Sequence, residues 1–312
     1  HILGFDEIEV SQKDAKCQLA EKWLEKTATD SELQVNEDDT QIHIKGREFA
    51  YTIDRRTALF TEMKFAGREY LNHPMELNIW RAPTDNDMYI KAEWKKAHYD
   101  KAYTRAYTTE VVQGKHGVKI VSHASVVAET VQKILDVTIT WKIDASGKID
   151  ADIEATKDGE FPDLPRFGVR MFLDKKLSDA RYFGMGPQES YRDKHQAASH
   201  GLYRANVRDL HEDYIRPQEN GSHYDCGYVE LNNSRYGIVA SAEKAFSFNA
   251  SYYTQEELEK KTHNYELAES DSVVLCVDYA LNGIGSNSCG PVVLDQYRFN
   301  DVLFRFRFTL IP

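Results

Sequence analysis

Cysteine is scarce in this chain and is not arranged for cross-linking. The four cysteines, Cys17, Cys226, Cys276 and Cys289, form no C-x-x-C pair and follow no regular spacing. Zinc sites and disulfide frameworks are recognised by such spacings, so neither is predicted. The pattern favours a reducing compartment, and we therefore expect a cytoplasmic protein.

Long apolar runs and basic clusters are missing as well. The longest apolar stretches are a handful of residues, far below the roughly 20 that cross a bilayer, and residues 1–30 lack the pattern of a signal peptide. The net charge is −11, with 39 Lys and Arg against 50 Asp and Glu. A nucleic-acid surface needs clustered cations, so we expect neither nucleic acid nor membrane as a partner.

Alternating apolar and polar residues are the main pattern that is present. Residues 135–143 and 149–155 alternate on either side of the turn Asp144–Lys148, which predicts an antiparallel hairpin. The end of the chain alternates in the same way, with Arg305 and Arg307 on the face opposite to the apolar residues. The pattern also predicts strands in Gln41–Ile53, Val118–His123, Tyr236–Ala240 and Val273–Val277.

Helical signals are few. Thr254 to Glu257 fits a capping box and predicts a short helix that ends at about His263, whereas residues 90–106 are only weakly helical. Many short strands with little helix predict an all-β fold, a large antiparallel sandwich. Aromatic residues make up 12% of the chain, and their rings suit both sheets and the apolar faces of sugars.

Two glutamates follow a Pro-Gln pair, Glu189 in GPQES and Glu219 in RPQENG. As a matched pair they would suit glycoside hydrolysis, which needs two carboxylates about 5 Å apart in retaining enzymes. The other interpretation is that Pro and Gly shape two tight loops whose Glu and Gln side chains bind loop backbone. We favour the structural interpretation, because fifty acidic residues offer many such pairs.

Two further loops carry polar side chains that suit a ligand. Residues Asp85, Asn86 and Asp87 follow a proline, and their oxygens suit sugar hydroxyls or Ca²⁺, although the spacing is not that of an EF-hand. The segment Gly283–Pro291 (GIGSNSCGP) is a turn-forming loop without the context of a nucleotide site. Turn chemistry alone explains both loops nearly as well.

Histidines are numerous but point to no catalytic or metal site. Ser222 and His223 are adjacent, yet no nucleophile elbow accompanies them, and His195 and His200 are five positions apart, which suits neither a helix face nor a strand face. We therefore predict no histidine nucleophile pair and no metal held by this chain alone.

Four segments carry a resemblance to a known family. They are Trp80–Asp87 (WRAPTDND), Gly184–Tyr191 (GMGPQESY), Tyr214–Gly221 (YIRPQENG) and Gly283–Pro291. In order and spacing they resemble the C-terminal domain of family 2 glycoside hydrolases of the bacterial β-galactosidase type, from about Gln41 onward. The resemblance implies a supersandwich of the galactose mutarotase-like type over residues 31–312, preceded in residues 1–30 by the tail of an immunoglobulin-like domain and a linker.

The resemblance also implies where the chemistry lies. In that family both catalytic glutamates and the nearby Mg²⁺ belong to a barrel domain, which this sequence lacks, so the chain is expected to be inactive alone. It would wall the mouth of the site against a galactoside, with Asp85, Asn86, Asp87, Ser286, Asn287, Ser288 and Cys289 as the substrate-binding candidates. Cys289 aligns with a tryptophan that stacks on the sugar in other members, and a thiol offers no such platform.

Several alternatives stay open at this point. The partner is either the large chain of a two-chain enzyme or the upstream domains of the same polypeptide, from which this chain would be excised. A mutarotase-like aldose 1-epimerase would need its general acid and base within this chain. A stand-alone carbohydrate-binding module would bind sugar without chemistry.

Overall fold

The computed structural model describes residues 33–130 and 133–312, and strands dominate them. The expected tail and linker in residues 1–30 lie outside the described residues, and the boundary at residue 31 stays a prediction. The strands are β1 Gln34–Glu37, β2 Gln41–Lys45, β3 Phe49–Asp54, β4 Leu59–Phe65, β5 Arg68–Glu69, β6 Leu71–Asn78, β7 Tyr103–Gln113, β8 Gly117–Val127, β9 Leu135–Asp144, β10 Ile149–Lys157, β11 Arg166–Asp174, β12 Asp179–Gly186, β13 Ser199–Asn206, β14 Ser222–Asn232, β15 Gly237–Ser251, β16 Ser272–Leu281 and β17 Leu303–Ile311.

The first five strands form a small antiparallel sheet in chain order, β1-β2-β3-β4-β5. This sheet packs on the hairpin of β9 and β10, where the Phe60 and Trp141 rings meet edge-on with centroids 4.9 Å apart. The indole N–H of Trp141 donates to the Ala58 carbonyl at 2.8 Å, so the buried ring also keeps its polar group satisfied. One hydrophobic core therefore includes side chains from Leu33 to Leu310.

The larger sheet has twelve strands, and a path of nine runs β13-β12-β14-β15-β17-β10-β9-β8-β7. Strand β16 pairs with β15 beside that path, β11 pairs with β16, and β6 pairs with β11. All of these pairings are antiparallel. The predicted all-β antiparallel class is confirmed.

The predicted hairpin and the last strand are found. Ile143 pairs with Ile149 across the turn, and Phe304, Phe306, Phe308 and Leu310 are buried along β17. The segment Gln41–Ile53 differs, because it is divided into β2 and β3 by a turn in which the Gly46 N–H donates to the Phe49 carbonyl. The turn folds the two alternating segments back on each other as an antiparallel pair.

Two short α-helices occur in the described residues, α1 Ile90–Lys96 and α2 Gln255–Lys260. The Thr254 hydroxyl accepts from the Glu257 N–H at 3.1 Å, so the predicted cap is confirmed, while the helix ends three residues before His263. The Glu257 carboxylate accepts from the Ala268 N–H instead of reaching back to the cap. Neither helix is long and apolar enough to span a bilayer.

Candidate functional site

The two loops singled out in the sequence lie against each other, although they are 199 positions apart. The Asn86 amide donates to the Gly285 carbonyl at 2.7 Å, and the Ser288 hydroxyl donates to the Asn86 Oδ1 at 2.8 Å. Gly285 has a φ of 65°, the left-handed conformation that favours glycine. One asparagine thus holds the turn of the facing loop by both its donor and its acceptor.

Arg81 ties the same two loops together from behind. It is fully buried, and its guanidinium donates to both carboxylate oxygens of Asp87, at 3.1 and 2.7 Å. The same group donates to the carbonyls of Asn282 at 2.5 Å and Gly283 at 3.1 Å. Because arginine presents a rigid planar fork of donors, this arrangement fixes the start of one loop relative to the other.

Asp87 is therefore placed behind the loop surface. Its side chain is 3% exposed, and besides Arg81 it accepts from the Thr84 N–H at 2.8 Å and the Thr84 hydroxyl at 3.0 Å. Residues 85–87 form a turn of 3₁₀ helix where the sequence predicts a loop, because this carboxylate caps the turn. Contact between Asp87 and substrate stays a prediction.

A cavity of about 730 Å³ opens between these loops. Asp85, Asn86, Ser286 and Ser288 are among the residues that line it, whereas Asn287 and Cys289 are not. Cys289 is exposed and free. The apolar part of the lining includes Val292, Leu294 and Tyr297.

Glu189 lies at one side of this cavity and is fully engaged. Its carboxylate accepts from the Tyr214 hydroxyl, from the Lys194 ammonium group, from the Gly221 N–H at 2.9 Å and from the Tyr191 hydroxyl at 3.2 Å. Its side chain is 6% exposed. These contacts join the segment that ends at Tyr191 to the segment that ends at Gly221.

Glu219 is buried in an ion pair with Arg166. Arg166 donates to Glu219 at 2.8 Å and to the two oxygens of Asp278 at 3.1 and 2.6 Å, and all three side chains are 2% exposed or less. Burial raises the pKa of Glu219, and the charges of Arg166 and Arg81 oppose that shift. The second oxygen of Glu219 accepts from the Ala82 N–H at 3.3 Å, next to the loop that carries Asp85.

The backbone contacts predicted for the two glutamates are found, since each carboxylate accepts from a loop N–H; that neither takes part in catalysis stays a prediction. Gln218 behaves as expected too, because its Oε1 accepts from the Asp85 N–H at 2.9 Å. The sequence gives no sign of the buried arginine that binds Glu219. In a sequence, a buried arginine looks like any arginine on the surface.

Asp193 is a site residue that the sequence pattern did not single out. Its carboxylate accepts from the Ile284 N–H at 3.0 Å and from the Gly285 N–H at 2.7 Å. It therefore orients the loop that Asn86 holds from the other side. Asp193 follows the Gly184–Tyr191 segment by two positions, which is the only sequence signal that would have pointed to it.

The four segments of the resemblance thus meet around one cavity. Ala82 and Asp85 contact the residues Gln218 and Glu219, and Gly221 contacts Glu189. Within the described residues, no three His, Cys, Asp or Glu side chains are grouped so that they would hold a metal ion.

A family model of the β-galactosidase small chain matches residues 45–310. The chain belongs to this family. The β-galactosidase of Actinobacillus pleuropneumoniae is 43% identical over 311 residues, and that of Staphylococcus xylosus is 32% identical over 309 residues. These alignments cover 100% and 99% of this chain, which spans 30% of the length of each of the two β-galactosidases.

Among solved structures, this small-chain sequence is similar to a galactose 1-epimerase from Lactobacillus acidophilus NCFM. The identity is 10%, the alignment covers 90% of this chain and 97% of the epimerase, and the TM-score is 0.39.

Proposed function

We propose that this chain walls one side of the active-site mouth in a retaining β-galactosidase that hydrolyses terminal β-D-galactosides such as lactose. The observation that carries the proposal is the meeting of four distant segments around the cavity of about 730 Å³. That cavity offers a carboxylate at Asp85 and hydroxyl groups at Ser286 and Ser288, which suit the hydroxyls of a sugar.

The bond-breaking carboxylates would come from outside this chain. Retaining hydrolysis needs one carboxylate to attack and a second to act as acid and then base. Glu189 and Glu219 are engaged in contacts that hold loops together, so neither is free for these steps. We place the nucleophile and the acid on a barrel domain, either in a large partner chain or in upstream domains of the same enzyme.

The Mg²⁺ expected in the complete enzyme would have its ligands outside this chain as well. The described residues bring together no cluster of three metal-binding side chains, so they do not fit such a site. We propose that this chain contributes through positioning and through exclusion of water at the mouth. The hydrogen bonds of Asn86 hold the two loops in one arrangement before substrate arrives.

The test is a complementation assay in which hydrolysis of nitrophenyl β-galactoside is measured. The 312-residue chain, the barrel-bearing partner and their mixture are assayed separately. We expect hydrolysis only in the mixture. Hydrolysis by the chain alone, or turnover of α-galactose to its anomer by the chain alone, would contradict the proposal.

Variants of the mixture test the role of the loops. Asn86→Ala removes three hydrogen bonds between them, of which the one from the Ser288 N–H is long at 3.4 Å. At about 1 kcal/mol for each of the two short ones, kcat/KM should fall by about tenfold or more. Asn233→Ala is the matched control, because Asn233 also accepts from backbone N–H groups but lies in the turn between β14 and β15. Equal kcat/KM values for the two variants would contradict the role given to the loops.

A further inference from the structure

A second cavity lies where the large sheet divides. The pairing of β15 with β17 ends at Ser241, and its pairing with β16 begins at Ser247. Between these two points the strands diverge and leave a cavity of about 370 Å³, lined by Glu243, Lys244 and Phe246 of β15. This volume falls in the range of about 300–1,000 Å³ that is usual for small-molecule sites.

The opposite wall is formed by an irregular part of β14. The register with β15 shifts on both sides of Cys226, and Asp225 has a φ of 54°, which is uncommon for a residue other than glycine. Irregularities of this kind redirect side chains. Tyr224 and Asp225 both line the cavity, and the Tyr224 ring stacks on His195 with centroids 5.7 Å apart.

Ser222 supplies a polar group without a partner. It lines the cavity and is 1% exposed, and its Oγ has no hydrogen-bond partner among the described residues. Buried hydroxyl groups are almost always hydrogen-bonded, because leaving one unpaired is costly. A hydroxyl group of a bound ligand would supply the missing partner.

The charges around the cavity are close to balanced. Arg305 binds Asp152 at 2.5 Å and Glu154 at 2.6 Å, and Arg307 binds Asp152 at 3.2 Å, so two carboxylates balance the two arginines. Arg192 and Lys244 then stand against the acids Asp225, Glu243 and Asp301 in the lining. This balance does not favour a phosphate or a carboxylate, which would need unpaired cations.

The aromatic rings in the lining complete the description of a suitable ligand. Tyr279 and Phe306 line the cavity from β16 and β17. The Tyr279 ring is stacked on Phe304 with centroids 5.2 Å apart, which fixes its position. Fixed aromatic rings next to hydrogen-bonding side chains suit a molecule with both apolar faces and hydroxyl groups.

We propose that this cavity binds a neutral monosaccharide. The division of the sheet provides the space, the rings of Tyr224 and Phe246 provide apolar contact, and Ser222 and Glu243 provide hydrogen bonds. Of its lining residues, this site shares Tyr191 alone with the cavity between the two loops, and the inference does not depend on the role proposed for them.

Binding to the 312-residue chain is measured by titration calorimetry and by saturation-transfer NMR, with D-galactose and D-glucose as probes and inorganic phosphate as the anionic comparison. We expect at least one of the two sugars to bind saturably and phosphate not to bind. Ser222→Ala removes one hydrogen bond, and Glu243→Gln replaces a charged acceptor by a weaker neutral one, so each should raise the dissociation constant by about fivefold. Tyr224→Ala should raise it by about tenfold.

Two control variants show whether the sugar binds in this cavity or elsewhere on the chain. Tyr265→Ala removes an exposed aromatic ring that does not line the cavity, and Asn86→Ala disturbs only the loop site. Both should leave the dissociation constant unchanged. Absence of saturable sugar binding, binding of phosphate alone, or a dissociation constant that responds to Asn86→Ala and not to Glu243→Gln would overturn the proposal. The last outcome would leave the proposed role of the loops standing.

Discussion

Replacing Arg166 tests whether the buried charge cluster holds the site in place. Arg166 is fully buried and is the shared partner of Glu219 and Asp278. In Arg166→Met the two carboxylates stay buried without their cation. Breaking a buried ion pair in this way costs about 3–5 kcal/mol, because a charge is left uncompensated in a medium of low polarity. That is a large share of the roughly 5–15 kcal/mol that stabilises an ordinary domain.

The same reasoning predicts a recovery. The triple variant Arg166→Met, Glu219→Gln and Asp278→Asn removes all three charges together, so it should regain most of the stability lost by Arg166→Met alone. Urea unfolding gives the free energy of unfolding of each variant. The values can be compared if the slope of that free energy against urea concentration is the same in all variants. Recovery would show that the cost came from unpaired charge and not from lost packing volume.

Arg305→Met is the matched control for Arg166→Met. Arg305 also pairs with two acids, Asp152 and Glu154, but its side chain is 46% exposed. Exposed pairs are worth about 0–1 kcal/mol, because solvent screens them. If Arg166→Met costs no more than Arg305→Met, the reasoning about burial is wrong.

Two further predictions concern single side chains. Burial lowers the pKa of His223 from 6.5 to about 4. The contribution of the neutral ring to the free energy of unfolding is therefore fully present above pH 6.5 and is lost as the pH falls to about 4. Between pH 6.5 and pH 4, the free energy of unfolding of His223→Phe should therefore fall by about 3 kcal/mol less than that of the parent protein, as measured by urea unfolding at each pH. An equal fall in both proteins would contradict the lowered pKa of His223. Thr254→Ala should cost about 1 kcal/mol and Thr254→Ser much less, because only serine keeps the hydroxyl that caps α2; equal unfolding free energies for the two variants would show that the cap is not the cause.

The strands could be predicted from the sequence because burial repeats every second residue. Along β9 the buried residues alternate with partly exposed ones, as the pattern of residues 135–143 predicts. The order of the strands could not be predicted in this way. Strand β15 pairs with β14, β16 and β17, and the contact of Val239 with Ile311 joins residues far apart in the chain. Such pairings depend on packing between whole elements, which local periodicity does not report.

The candidate site was predictable only in part. Turn residues and polar side chains single out the loops at Asp85 and Ser286, but nothing local shows that Asn86 binds Gly285. The family resemblance placed both loops at the mouth of one site, without indicating this contact. The buried cations were beyond prediction, because Arg81 and Arg166 stand in the sequence without an apolar or charged pattern that distinguishes them from surface arginines.

Asp87 shows how a local rule, applied more closely, would have divided the acidic triplet. Thr84 and Asp87 are three positions apart, the spacing of a capping box, and the Asp87 carboxylate does accept from the Thr84 N–H. A carboxylate used in this way turns back toward its own backbone, so its neighbours face outward. Asp85 and Asn86 accordingly line the cavity, while the buried contact of Asp87 with Arg81 holds the loop that carries them.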